Sequence, residues 1–188
     1  MRDALDFIKP ENVAFGSGAA ALLSHLALSL AEEGDAVLIP APYYAAFDVD
    51  LKIIAGCIAV PVHSTNPEIG PTAHDLDKAA KLAEAKGMRV RILLITNPNN
   101  PLGTIYPPEM IKSAVDWARS RKMHTIIDEL YALSVHEQGE FESSLRTLNN
   151  GLGKDVSQFG SHVNDYHEAL TNKHSFSPSF PRSIMFGH

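Results

Sequence analysis

Two short apolar runs constrain this chain more than anything else in it. Residues 90–95 lead straight into Thr96-Asn97-Pro98-Asn99-Asn100-Pro101-Leu102-Gly103. Residues 125–127 lead into Asp128-Glu129-Leu130-Tyr131. A helix-like stretch joins them. Strand, helix and strand, with polar groups closing each strand, describe a βαβ unit whose strands end at one edge of a sheet. That puts an amide, a carboxylate and a phenol on one rim. The carboxylate suits a protonated ring nitrogen, and the amide and phenol suit a ring oxygen.

The rest of the chain repeats the alternation. Gly16-Ser17-Gly18 opens a helix in which Ala19, Leu22, Leu23, Leu26, Ala27 and Leu30 keep one buried face, with Gly34-Asp35 as the stop. Residues 36–39 read as a buried strand, and Pro40-Ala41-Pro42 delivers Tyr43 and Tyr44. A helix over 45–54, a stop at Gly56 and a strand over 57–62 follow. Thr72-Ala73-His74-Asp75 resembles a capping box for a helix burying Leu76, Ala79, Ala80 and Ala83. Pro107-Pro108-Glu109 starts another, with Ile111, Ala114, Val115 and Ala118 inward. The near-continuous apolar run at 90–96 is that of a central parallel strand. The expected fold is therefore α/β, a mostly parallel sheet with helices on both faces. It is expected to fill residues 1–150. Over 151–188 no period survives and Pro178 and Pro181 interrupt, so that tail is expected to be irregular or disordered.

Composition removes several classes of function. The chain has 188 residues and a net charge of −6 with no basic block, which argues against a nucleic-acid partner. No apolar run has the length of a membrane span. No signal peptide is visible, and a single cysteine, Cys57, fits a reducing, cytoplasmic setting. Cys57 lies in an apolar stretch and reads as a buried structural thiol. His162, His167 and His174 cluster in the tail without metal-ligand spacing, so no metal is expected.

Asn97-Pro98-x-Asn100-Pro101-x-Gly103 followed by Asp128-Glu129-x-Tyr131 resembles the pyridoxal-phosphate (PLP) aminotransferases of class I/II, fold type I. The wording from Gly34-Asp35 through Pro42-Tyr43-Tyr44 to Asp128-Glu129-Leu130-Tyr131-Ala132 is similar to the branch containing 1-aminocyclopropane-1-carboxylate synthase. The resemblance runs from about Met1 to about Val156 and implies a fragment of the large domain. It also implies PLP as cofactor, an α-amino acid as substrate and a dimeric parent enzyme. On that resemblance Gly18, Ala19 and Ala20 hold the phosphate, as a helix N-terminus can. Tyr44 stacks on the ring, Asn100 and Tyr131 contact the ring oxygen, and Asp128 pairs with the pyridinium nitrogen. Read alone, either Tyr43 or Tyr44 is equally a core residue. The same glycine turn also spells a dinucleotide fingerprint through Gly16, Gly18 and Ala21, but the acidic residue that fingerprint needs would close the next strand, and Asp35 precedes it.

The family's Ser/Thr-x-Lys on an apolar strand has no match here. Residues 161–166 contain no lysine. Thr171-Asn172-Lys173 has the Thr-x-Lys shape without the preceding strand or following glycine, and Gly153-Lys154-Asp155 comes early. Of these two lysines, Lys173 is the better catalytic candidate and Lys154 the weaker. The expectation is an aminotransferase-like, PLP-binding protein that lacks its Schiff-base lysine and is inactive alone. Two alternatives are a noncatalytic partner of a full-length homologue, and a weak enzyme that uses Lys173.

Overall fold

The computed structural model describes residues 13–135, 141–152 and 183–186. In chain order the elements are α1 (Ala19–Leu30), β1 (Ala36–Pro40), α2 (Phe47–Ala55), β2 (Ile58–Val62), α3 (Ala73–Glu84), β3 (Val90–Thr96), α4 (Pro108–Ser120) and β4 (His124–Asp128). A short 3-10 turn (Ala132–Ser134), α5 (Ser144–Leu152) and β5 (Ser183–Phe186) follow. The strands form one sheet in the order β2-β1-β3-β4-β5, every neighbouring pair parallel. The expected α/β architecture is what the chain adopts. Among the described residues no helix is long and apolar enough to cross a membrane.

The order has a consequence for function. The step from β1 to β2 moves one way along the sheet, and the step from β2 to β3 moves back past β1. Right-handed crossovers in opposite directions must put their helices on opposite faces. Accordingly α1 and α2 cover one face, where Leu23, Ala27, Phe47 and Leu51 pack on Val37, Ile39, Ile92, Leu94 and Ile126. Helices α3, α4 and α5 cover the other, where Leu76, Ile111, Ala118 and Leu148 pack on Leu38, Leu93, Ile95 and Ile127. Between β1 and β3 the crossovers diverge, which opens a crevice beyond the strand ends. With both faces covered, every residue of β1 and β4 is buried. The edge strand β2 is only partly buried and accommodates Pro61, as an edge can.

Local signals fall close to where the sequence puts them. Gly56 ends α2 in the left-handed conformation, φ 65°, with its N–H donated to Leu51 and Lys52. Thr72 and Asp75 form a reciprocal capping box on α3, and the Thr72 bonds hold the Asp75 carboxyl below the usual range. Helix α1 stops at Leu30, earlier than Gly34-Asp35 implied. The Asp35 carboxylate takes the Glu32 N–H at 2.8 Å and a bidentate pair from Arg89 at 2.9 and 2.7 Å, so the chain turns before Gly34. Cys57 is buried as expected, and burial pushes its thiol up to about 11. Of the stretch over 151–188, the described residues are 151–152, which close α5, and Ser183–Phe186; the rest lies outside the described residues. Ser183–Phe186, inside the stretch read as irregular, pairs along β4. Its sequence Ser-Ile-Met-Phe is short and apolar, and β4 otherwise ends the sheet with an open edge.

One buried carboxylate ties the end of β4 to α5. Glu129 accepts the Ser143 hydroxyl at 2.8 Å, the Ser144 N–H at 2.7 Å and the Ser144 hydroxyl. Burial raises its pKa against the opposing pull of those bonds. Glu129→Ala would leave the Ser144 N–H without its acceptor at a buried helix start and is expected to destabilise the fold by about 3 kcal/mol. Glu129→Gln keeps one acceptor oxygen and should cost about 1 kcal/mol. Urea unfolding midpoints of the two variants check both.

Candidate functional site

Strand alternation decides which groups reach the crevice. In β3 and β4 the even-numbered Ile92, Leu94 and Ile126 face α1 and α2, and the odd-numbered Leu93, Ile95 and Ile127 face α3 and α4. Continuing the alternation, Thr96 and Asp128 end their strands on the α1/α2 face, in register with each other. Glu129, one residue on, turns to the opposite face and holds α5 there. Two adjacent acids thus do different work.

Asp128 is 4% exposed. The Leu130 N–H donates to its Oδ1 at 3.0 Å, and its backbone carbonyl accepts the Asn97 N–H at 2.9 Å. Burial raises its pKa above the usual carboxylate range; the Leu130 bond opposes this, and the nearby Glu129 charge adds to it. Among the described residues it has no cationic partner. A desolvated carboxylate with an open oxygen is chemically suited to a cationic N–H.

Beside it, the Asn100 Nδ2 donates to the Tyr131 hydroxyl at 3.2 Å. Asn100 follows β3 and Tyr131 follows β4, so this bond joins the two loops at the rim. Tyr131 is 37% exposed, leaving amide and phenol open to an incoming acceptor. The loop that carries Asn100 is held from below. Asn97 Oδ1 accepts the Tyr106 N–H at 2.9 Å, and Asn99 Nδ2 donates to the Tyr106 hydroxyl at 3.0 Å. Asn99 also donates to the Pro42 carbonyl at 3.4 Å, which spans the crevice from β3 to β1. These buried asparagines went unassigned in the sequence. Their signal was positional: only Asn100 of the three lies beyond the loop's buried turn.

Tyr44 follows β1 on the same rim, 46% exposed, with its ring edge-on to Phe47 at 5.5 Å. Tyr43 instead donates to Asp48 at 2.9 Å, and burial with that bond pushes its phenol up to about 12. Gly18 precedes α1 at φ 94°, with no side-chain cap and no acidic residue in the first turn. A Cβ added there would meet nothing within 4 Å. Gly18 and Ala20 are exposed and Ala19 partly so, leaving the first N–H groups of α1 available to an anion. The short 31–35 connection reverses the chain, so α1 runs against β1 and its N-terminus lies toward the strand ends. Asp35 sits at the other rim, its carboxylate taken by Arg89, which disposes of the dinucleotide reading. Lys154, Lys173, His162, His167 and His174 lie outside the described residues.

The sequence profile described as aminotransferase class I and II matches residues 2–169. 1-Aminocyclopropane-1-carboxylate synthase 1 of Oryza sativa subsp. indica is 39% identical over 153 residues, covering 79% of this chain and 31% of the relative. 1-Aminocyclopropane-1-carboxylate synthase-like protein 1 of Bos taurus is 36% identical over 148 residues, covering 75% and 30%. The chain thus spans about a third of the length of these relatives. Among solved structures, an aspartate aminotransferase of Thermus thermophilus (a tetra mutant) superposes with a TM-score of 0.63 at 25% identity, over 74% of this chain and 37% of that one. An archaeal alanine:glyoxylate aminotransferase superposes with a TM-score of 0.64 at 25% identity, over 77% and 35%. By sequence and by fold alike, this chain belongs to the aminotransferase class I and II family, the PLP-dependent aminotransferases of fold type I.

Proposed function

We propose that this chain carries the ring- and phosphate-holding half of a PLP site for an α-amino acid, and that it does not itself supply the lysine that attaches the aldehyde. The observation that carries the reading is the Asn100–Tyr131 bond beside the buried Asp128 carboxylate, three groups on two loops meeting at one rim. Asp128 would accept the ring N–H and hold that proton on the nitrogen. Asn100 and Tyr131 would donate to the ring oxygen, Tyr44 would cover one ring face, and the N–H groups of Gly18, Ala19 and Ala20 would take the phosphate. When bound, PLP supplies an electron sink for charge developing at the substrate α-carbon. These contacts serve transamination and cyclopropane formation alike, and the substrate class proposed is an α-amino acid.

A second reading is association with a full-length homologue. Its support is an uncovered apolar surface on α2 and the start of β2, where Val49, Ile53 and Ile58 are 52%, 76% and 43% exposed. Co-purification with such a homologue supports it, and a soluble monomer counts against it.

Titration with PLP, followed by absorbance, is expected to give a saturable spectral change that gel filtration removes. Borohydride should fix no mass to the chain. A reduced adduct mapped to Lys173 would instead establish a self-sufficient site, and the absence of any saturable change would end the half-site reading. Tyr131→Phe should weaken PLP binding by about five- to tenfold, one lost hydrogen bond.

Asp128→Asn separates binding from stability. It should weaken PLP binding by about 10- to 100-fold, the worth of a charged hydrogen bond. Because folding raises the Asp128 pKa, the folded protein holds this proton more tightly than the unfolded chain. The cost of ionising it is absent below the ordinary carboxylate range, grows as pH rises through the raised pKa, and is complete above it. The variant should therefore melt above the wild type at neutral pH, and the two curves should converge near about pH 4. Glu129 contributes with the same sign and is unaltered, so the variant keeps part of the slope.

A further inference from the structure

Thr96 ends β3 with 5% of its surface exposed, and its Oγ1 is buried without a hydrogen-bond partner among the described residues. A buried hydroxyl left unpaired is costly, and valine fills the same β-branched shape without that cost. Thr96 is the strand neighbour of Asp128, in register and on the same face. Parallel neighbours stand about 4.8 Å apart, so the two side chains leave the sheet side by side and a turn about χ1 can bring the hydroxyl to the carboxylate. The other orphaned atoms have different settings. Thr104 sits partly exposed in the loop after β3, and Arg91, near the opposite end of that strand, has a second nitrogen 3.4 Å from His124.

We propose that Thr96 is a positioning residue for Asp128: unpaired in the free protein, its hydroxyl donates to the carboxylate once a cationic ring nitrogen engages it. This role rests on the reading of Asp128 given above. An ionised carboxylate accepts about four hydrogen bonds, so Oδ1 can keep the Leu130 N–H while the ring N–H and the Thr96 hydroxyl take the remaining lone pairs. The hydroxyl fixes the carboxylate plane against the ring and favours the charged form on which the pairing depends. The cost carried by the free protein is returned when ligand binds.

The test compares Thr96→Val and Thr96→Ser in the full chain by thermal unfolding without ligand and by PLP titration. Thr96→Val should raise Tm by about 2–4 °C, because an orphaned hydroxyl is removed. It should weaken PLP binding by about tenfold, while Thr96→Ser, which keeps the hydroxyl, stays within about threefold of wild type. A merely structural threonine would move both quantities in the same direction. A lower Tm for Thr96→Val means that the hydroxyl is already engaged in the free protein and overturns the proposal. Wild-type affinity in Thr96→Val also overturns it and leaves the Asp128 reading standing. Failure of the wild type itself to bind PLP overturns the Asp128 reading, and the Thr96 role falls with it.

Discussion

The parallel register between β3 and β4 is the constraint on which the rest of this rim depends. Pairing Ile92 with His124 and each following residue in turn brings Thr96 level with Asp128 at the last rung. Because alternation is strict, a slip of one residue would send Asp128 to the α3/α4 face and Glu129 into the crevice. Glu129 would then lose Ser143 and Ser144, and α5 would lose the acceptor at its start. Register is thus enforced from both sides of the sheet. The apolar residues below, Leu94 and Ile126 on one face and Ile95 and Ile127 on the other, would be misplaced by the same slip.

Above the last rung, the loops are fastened by side chains rather than by further strand pairing. Asn97 and Asn99 spend their amides on Tyr106 and on the Pro42 carbonyl, and both are almost fully buried. Asn100, next in sequence, is only partly buried and reaches across to Tyr131. The asparagine-rich loop therefore divides into an inner layer that fixes its shape and an outer amide that the shape presents. Topology supplies the place for this. The strand order makes the gap between β1 and β3 the point where crossovers part, and Asn99 spans that gap.

Much of this was legible in the sequence because the signals were local. Period and caps gave α3 and α4, and Gly56 ended α2 in the left-handed conformation that glycine enters more freely than other residues. Asn100, Asp128 and Tyr131 stood out by their positions after apolar runs, and they do gather at one rim. What stayed hidden depended on partners remote in sequence. Glu129 looks like a second rim acid until its face is known, and its partners lie on α5. Asp35 fastens the turn after α1 through the Glu32 N–H and through Arg89, a partner remote in sequence on the approach to β3. The strand at Ser183–Phe186 is too short to announce itself and exists as a partner for β4. Thr96 reads as an ordinary β-former, and only its burial without a partner marks it.

The distribution of satisfied and unsatisfied polar groups carries a physical meaning of its own. Several other buried and half-buried carboxylates are answered: Asp35 by Arg89, Asp77 by the Trp117 indole N–H and Arg121, Glu129 by two serines. At the rim, among the described residues, the first turn of α1 has no side-chain cap, Asp128 has no cation and the Thr96 hydroxyl has no acceptor. Each departure costs stability in the free chain, and each could be removed by a single conservative substitution. A fold under no other demand would not collect an uncovered positive pole, a desolvated anion and an idle donor in one crevice. Their signs differ in the way a zwitterionic ligand requires, an anionic group toward the helix start and a cationic N–H toward Asp128. Chemically unlike deficits that one molecule could meet together are stronger grounds for a binding site than any of the residues taken singly.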